Sequence, residues 1–197
     1  MFRCVTAGEA ELIVKKSRFI AVSAMASDRE SVKRTIDNLR KKYPDATHIC
    51  YAFIADERGD EFGYDDDGEP SGTAGKPIYA ALSASGASKS MIAVIRYFGG
   101  IKLGAGGLTR AYRQSASELI EKVGMTEVEK YYLYDVECDG DAYKKISSVV
   151  RNSRCKCEQI MYNDKVSFVL ACPSDDDAQT LLKQFGATYV MTGERYE

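Results

Sequence analysis

The chain has no apolar run approaching the roughly 18–20 residues that a membrane-spanning helix requires; Met91–Ile95 is typical of its hydrophobic segments. Its first residues, Met1-Phe-Arg-Cys-Val-Thr-Ala-Gly-Glu9, show no apolar stretch followed by a small-residue cleavage site. No signal peptide is therefore expected, and a cytoplasmic location is. No two of the six cysteines (4, 50, 138, 155, 157 and 172) are spaced C-x-x-C, which argues against a thioredoxin-like redox site; the thiols are expected to stay reduced. There is a single histidine, His48, and no serine or cysteine is placed beside it as a nucleophile. Charge of one sign is also lacking: 27 Lys and Arg oppose 29 Asp and Glu, for a net charge of −2. That excludes a uniformly basic nucleic-acid coat protein and an acidic disordered tail.

What is present is an ordinary globular composition, 45% hydrophobic and 28% charged in 197 residues, enough for one or two domains with cores of their own. Glu9–Val14, Phe19–Ala24, Ile49–Ala55 and Met91–Tyr97 read as strands. Ser27-Asp-Arg-Glu30 reads as a capping box, followed by Val32, Ile36, Leu39 and Tyr43 at helical spacing, with Pro44 closing the helix. Pro77 is expected to open a small-residue helix, and Leu108, Ala111, Tyr112, Leu119, Ile120 and Val123 mark one face of a long helix ended by Gly124. From Met125 the order becomes β-α-β-β-α-β. It comprises strands at Val128–Cys138, Cys155–Tyr162, Lys165–Cys172 and Ala187–Thr192, with helices at Asp141–Asn152 and from Ser174 to Phe185. Asn163-Asp164 is placed for a two-residue hairpin turn. That order is the ferredoxin-like arrangement. Two α+β domains are expected, 1–124 and 125–197, with no internal repeat and no low-complexity linker.

Charge is segregated within the first domain. Asp56–Glu69 holds eight acids against Arg58 alone, whereas the next 48 residues, Pro70 to Ser117, hold six bases and no acid. The basic stretch contains Arg96-Tyr-Phe-Gly-Gly-Ile-Lys-Leu-Gly-Ala-Gly-Gly-Leu-Thr-Arg110, with five glycines in the nine residues 99–107, between a strand and a helix. Glycines there let backbone amides approach an oxyanion, and the helix N-terminus adds a favourable dipole. Thr109 stands where a Rossmann fingerprint needs its third glycine, and no G-K-[ST] follows, so neither dinucleotide site nor Walker loop is indicated. The residues nominated for nucleic-acid contact are Lys76, Arg96, Gly100, Lys102, Gly104, Gly106, Gly107, Arg110 and Arg113. The bland alternative is a tight crossover that simply needs glycine.

The acidic partner, Asp65-Asp-Asp-Gly-Glu-Pro-Ser-Gly-Thr73, offers Asp66, Asp67 and Glu69 as carboxylates, with Ser71 and Thr73 nearby. Such a turn can hold Mg²⁺ or be plain solvated loop. With no second acidic cluster, no two-metal site can be assembled, and no catalytic residue, metal or cofactor is assigned. Cys138, Cys155, Cys157 and Cys172 fall on three strands and read as small core residues rather than zinc ligands.

Asp66-Asp-Gly-Glu-Pro-Ser-Gly-Thr-Ala-Gly-Lys-Pro-Ile78 and Arg96-Tyr-Phe-Gly-Gly-Ile-Lys-Leu-Gly-Ala-Gly-Gly-Leu-Thr-Arg-Ala-Tyr112, with Ala46-Thr-His48 upstream, closely resemble the signature of the IMPACT/YigZ family in its bacterial two-domain form. The resemblance implies an N-terminal domain like the second domain of ribosomal protein S5 and a ferredoxin-like C-terminal domain. Both are similar to domains of elongation factor G, which implies contact with RNA or the ribosome. The family's eukaryotic relative regulates translation. The expected function is a translation-related regulator that binds RNA or the ribosome through the glycine-rich loop, with a protein partner in translation control as a further expectation. The alternatives are a protein-interaction module without nucleic acid and a metal-dependent enzyme on a phosphorylated substrate. No membrane partner is expected.

Overall fold

The computed structural model describes residues 1–197 and divides into two compact units, Phe2–Glu127 and Val128–Glu197. The first contains β1 (Phe2–Val5), β2 (Gly8–Val14), β3 (Ser17–Met25), α1 (Arg29–Lys42), β4 (His48–Ile54), β5 (Phe62–Asp65), α2 (Gly75–Ala84), β6 (Ser90–Tyr97), α3 (Ala105–Val123) and β7 (Met125–Val128). Five strands form one sheet in the order β2-β3-β6-β4-β5, antiparallel throughout, and β1 pairs with β7. Side chains alternate across a strand, and here both faces of the sheet are covered. Phe19, Cys50, Ile92 and Val94 join Ile78, Leu82, Leu108, Tyr112 and Leu119 of α2 and α3 on one face. Ile20, Ile49, Met91, Ala93 and Ile95 join Val32, Ile36 and Leu39 of α1 on the other. That double burial is why β6 reads as a nearly unbroken apolar run.

The second unit is β8 (Lys130–Cys138), α4 (Gly140–Val150), β9 (Lys156–Tyr162), β10 (Val166–Cys172), α5 (Asp175–Gln184) and β11 (Thr188–Tyr196), with antiparallel strand order β11-β8-β10-β9. Tyr134, Val136, Phe168 and Leu170 on the sheet pack against Ile146, Val150 and Leu182 on the helices. The protein is thus α+β, an S5 domain 2-like unit followed by a ferredoxin-like βαββαβ unit.

Several local expectations are corrected. The cap of α1 is Asp28, not Ser27: its carboxylate accepts from Ser31 N at 2.6 Å, and Ser31 Oγ accepts from Asp28 N. Only the Ser27 register matches the usual sequence motif, but Asp28 and Ser31 make the same reciprocal bonds, and a carboxylate complements the positive end of the helix better than a hydroxyl. Pro77 is the third residue of α2, not the first. The segment read as one strand from Val128 is broken at Glu129 into β7 and β8 because β7 turns to pair with β1. The Asn163-Asp164 hairpin closes with three residues, 163–165, and Gln159 sits at positive φ beside a register shift. Cys155 and Cys172 are not reduced: they stand opposite each other where β9 begins and β10 ends, Cα atoms 4.3 Å apart, and are joined by a disulfide. No helix is long and apolar enough to cross a membrane.

Candidate functional site

The site grows from one row of the sheet. Arg96 of β6 is paired with Phe19 of β3 on one side and His48 of β4 on the other, and all three share the face that α3 covers. Arg96 is consequently buried. Its guanidinium lies 5.4 Å from the centroid of Phe19 and 5.6 Å from that of Phe98. Its Nη1 donates to Glu69 Oε1 at 2.5 Å and its Nη2 to Ser17 Oγ at 3.4 Å, while Nε has no hydrogen-bond partner. Tyr112 of α3 donates to the same Glu69 oxygen at 2.8 Å. Burial, above all, pushes the Tyr112 phenol well up and keeps its proton in place as the donor.

The acidic loop is engaged from within. Asp66 accepts from the amides of Gly72, Ala74 and Gly75 at 2.7–2.9 Å, so its carboxylate caps the start of α2, which has no side-chain cap of its own. Gly75 is required there, since a Cβ would lie 2.7 Å from the carbonyl oxygen of Asp65. Asp67 accepts from Arg40 Nη2 and from the Ile49 amide, each at 2.6 Å. Burial alone would raise its carboxyl, but these two donors outweigh it and hold the group below the usual aspartate value. Thr73 Oγ1 donates to the Pro70 carbonyl, and Ser71 is exposed. The three carboxylates weighed as Mg²⁺ ligands are therefore occupied by amides, arginines and a phenol.

The glycine loop is arranged differently. Gly99 approaches the turn between β2 and β3 so closely that a Cβ would lie 2.0 Å from the carbonyl carbon of Lys16, and its amide donates to Ser17 Oγ. Lys15 and Lys16 occupy the left-handed region at φ 44° and 66°. Gly104 (φ 71°) precedes α3, whose first intrahelical bond runs from Leu108 N to Gly104 O, leaving the Ala105, Gly106 and Gly107 amides without an acceptor inside the helix. At Gly106 a Cβ would meet only Arg110 Nη1, at an ordinary contact distance of 3.5 Å.

Between the two loops lies a cavity of about 460 Å³ lined by His48, Glu69, Arg96, Lys102 and Gly104, with Phe98, Leu103, Pro70 and Leu108 as its apolar wall. His48 Nδ1 lies 2.7 Å from the Asp67 carbonyl, which only accepts, so Nδ1 carries the proton and Nε2 faces Glu69 at 3.9 Å. The acidic and basic motifs thus meet at one place. Of the cations nominated from sequence, Arg96 is ion-paired, whereas Lys76, Lys102, Arg110 and Arg113 are exposed and form no salt bridge. Lys76 stands in the first turn of α2 and Arg113 in the middle of α3; neither lines the cavity. Gly100 (φ 82°) shapes the loop outside it. Lys15, Lys16, Ser17 and Arg40 were not nominated; the two lysines were visible as the link between two strands, but their approach to Gly99 was not.

Residues 15–120 match the family model described as the Impact N-terminal domain. The chain is 37% identical over 85% of its length to the IMPACT family member YvyE of Bacillus subtilis, covering 77% of that protein. It belongs to the IMPACT family. A second IMPACT family member, YigZ of Escherichia coli, is 35% identical over 80% of this chain and 76% of its own. A solved structure described as that of a hypothetical protein superposes with a TM-score of 0.64 at 28% identity, covering 98% of both chains. Within this IMPACT chain the family-model match encloses the acidic loop, the glycine loop and the Lys15–Lys16 turn.

Proposed function

We propose that this IMPACT protein is a translation-related regulator that binds RNA, free or within the ribosome, through the basic rim of the glycine loop. The observation that carries the reading is electrostatic. Lys15, Lys16, Lys102 and Arg110 are exposed and form no ion pair; Lys15, Lys16 and Lys102 belong to two loops that touch at Gly99, and Arg110 lies in the second turn of α3, near its positive end. Phosphate oxygens are the natural complement of amides and unpaired cations in that arrangement.

Binding of single-stranded RNA is expected to weaken steeply with salt, because each neutralised phosphate releases counterions. Replacing Lys102 and Arg110 together by Ala is expected to lower affinity at least about tenfold and to flatten the slope of log K against log salt by about 1.4, at about 0.7 per contact. Anisotropy titrations across a salt series measure both. A salt-independent affinity, or one unchanged in the double variant, refutes the reading.

A further inference from the structure

We infer that the cavity at the head of α3 is a subsite for a nucleoside bearing a terminal phosphate, supplied as a free mononucleotide or as the phosphorylated end of an RNA strand. The inference rests on the reading that the glycine loop takes phosphate, and it specifies which phosphate.

The shape comes first. Arg96, Glu69 and Leu108 are buried and form a floor. A strand bound through its internal phosphodiesters runs along an open groove; a floored cavity admits an end. The donor set comes second. The amides of Ala105, Gly106 and Gly107 stand at the start of a 19-residue helix whose first residue, Ala105, lines the cavity, and the exposed Lys102 lines it too. Arg96, with a side chain only 6% exposed, is among the lining residues, and its buried Nε has no acceptor within the protein. Buried donors of this kind are normally paired, and a ligand oxygen supplies the missing acceptor. Glu69 shares the floor, but its charge is engaged by Arg96 and Tyr112. A terminal phosphate, with about −1.5 to −2 charge and three acceptor oxygens, uses such a set more fully than a singly charged diester. The apolar lining comes third. Phe98, 47% exposed, stands with Leu103 and Pro70 as an apolar surface for a base, and His48 is among the polar lining residues within reach of a ribose.

The test uses the full chain and short RNAs of one sequence ending in a 5′-phosphate, a 3′-phosphate or hydroxyls only. Calorimetric titrations with adenosine 5′-monophosphate, adenosine and inorganic phosphate run alongside. A phosphorylated end is expected to raise affinity at least about tenfold over hydroxyl ends, and the mononucleotide to bind more tightly than adenosine or phosphate alone. Gly106→Asp is expected to abolish the preference by placing a carboxylate among the amides. Its Cβ meets only Arg110 at 3.5 Å, and an acid suits a helix N-terminus, so the thermal midpoint should hold or rise. Lys102→Ala should reduce the preference without touching the floor.

Equal affinity for phosphorylated and hydroxyl ends overturns the subsite while leaving salt-dependent RNA binding standing. Mononucleotide binding in a protein without RNA affinity supports the subsite and removes the RNA reading. Persistence of the preference in Gly106→Asp, or inorganic phosphate binding as tightly as the mononucleotide, overturns the assignment.

Discussion

Residues 56–69 and 96–110 differ in more than the sign of their charge. In the acidic loop most charges are already answered: Asp56 and Asp66 accept backbone amides, while Glu61, Asp67 and Glu69 meet Arg29, Arg40 and Arg96. In the basic loop only Arg96 is answered, by Glu69, and Lys102 and Arg110 face solvent beside a helix N-terminus. The acids build the site; the remaining cations are left to act on something else. A local charge count therefore misjudges the field at the cavity, because it treats engaged and unengaged groups alike.

The comparison breaks most severely at Glu69. Glu69→Ala leaves Arg96 buried without its counter-charge, and equilibrium denaturation is expected to show a loss of about 4 kcal/mol. The double variant Glu69→Leu with Arg96→Met should lose less than that, since no isolated charge remains. A double variant as unstable as the single one would show that the pair contributes through packing alone.

Asp66→Asn is next. It weakens the acceptor of three amides at the start of α2, and about 2 kcal/mol should be lost in urea titrations. A smaller effect, about 1 kcal/mol, is expected from Asp67, and it depends on pH. Its folded pKa is depressed, so its contribution is complete above the ordinary aspartate value of about 3.9 and disappears as pH falls through the lower folded value. The stability gap between the protein and Asp67→Asn should be constant at neutral pH and close below about pH 3.9; a gap that persists at lower pH contradicts the depressed carboxyl.

The smallest effect separates the two roles most cleanly. Lys16→Gly removes a side chain from a left-handed backbone position and is expected to stabilise the fold by about 0.5–1 kcal/mol. It should weaken RNA binding in the same preparation. Loss of both properties together would mean that Lys16 holds the turn rather than the ligand.

Much of this architecture was legible in the sequence. Short apolar and aromatic runs marked β3, β4 and β6, and helical spacing marked α1 and α3 with Gly124 as the stop. β1 and β5 escaped because four residues are too few to establish a period, and their identity as strands comes from their partners β7 and β4. Within the site both motifs are visible in the sequence, but the burial of Arg96 and its pairing with Glu69 are not. Parity held the missing signal: Arg96 follows Ile92 and Val94 at two-residue steps on the face that α3 buries.

The sequence alone determined the longer helices and strands and where the signs of charge concentrate, because periodicity, capping and local composition are properties of contiguous residues. Tertiary structure decided that Asp66 caps α2, that Glu69 meets Arg96, and that Gly99 rests on the Lys15–Lys16 turn. Those pairings hold groups at hydrogen-bond or contact distance across separations of up to 83 residues, and no local spacing encodes which remote group arrives.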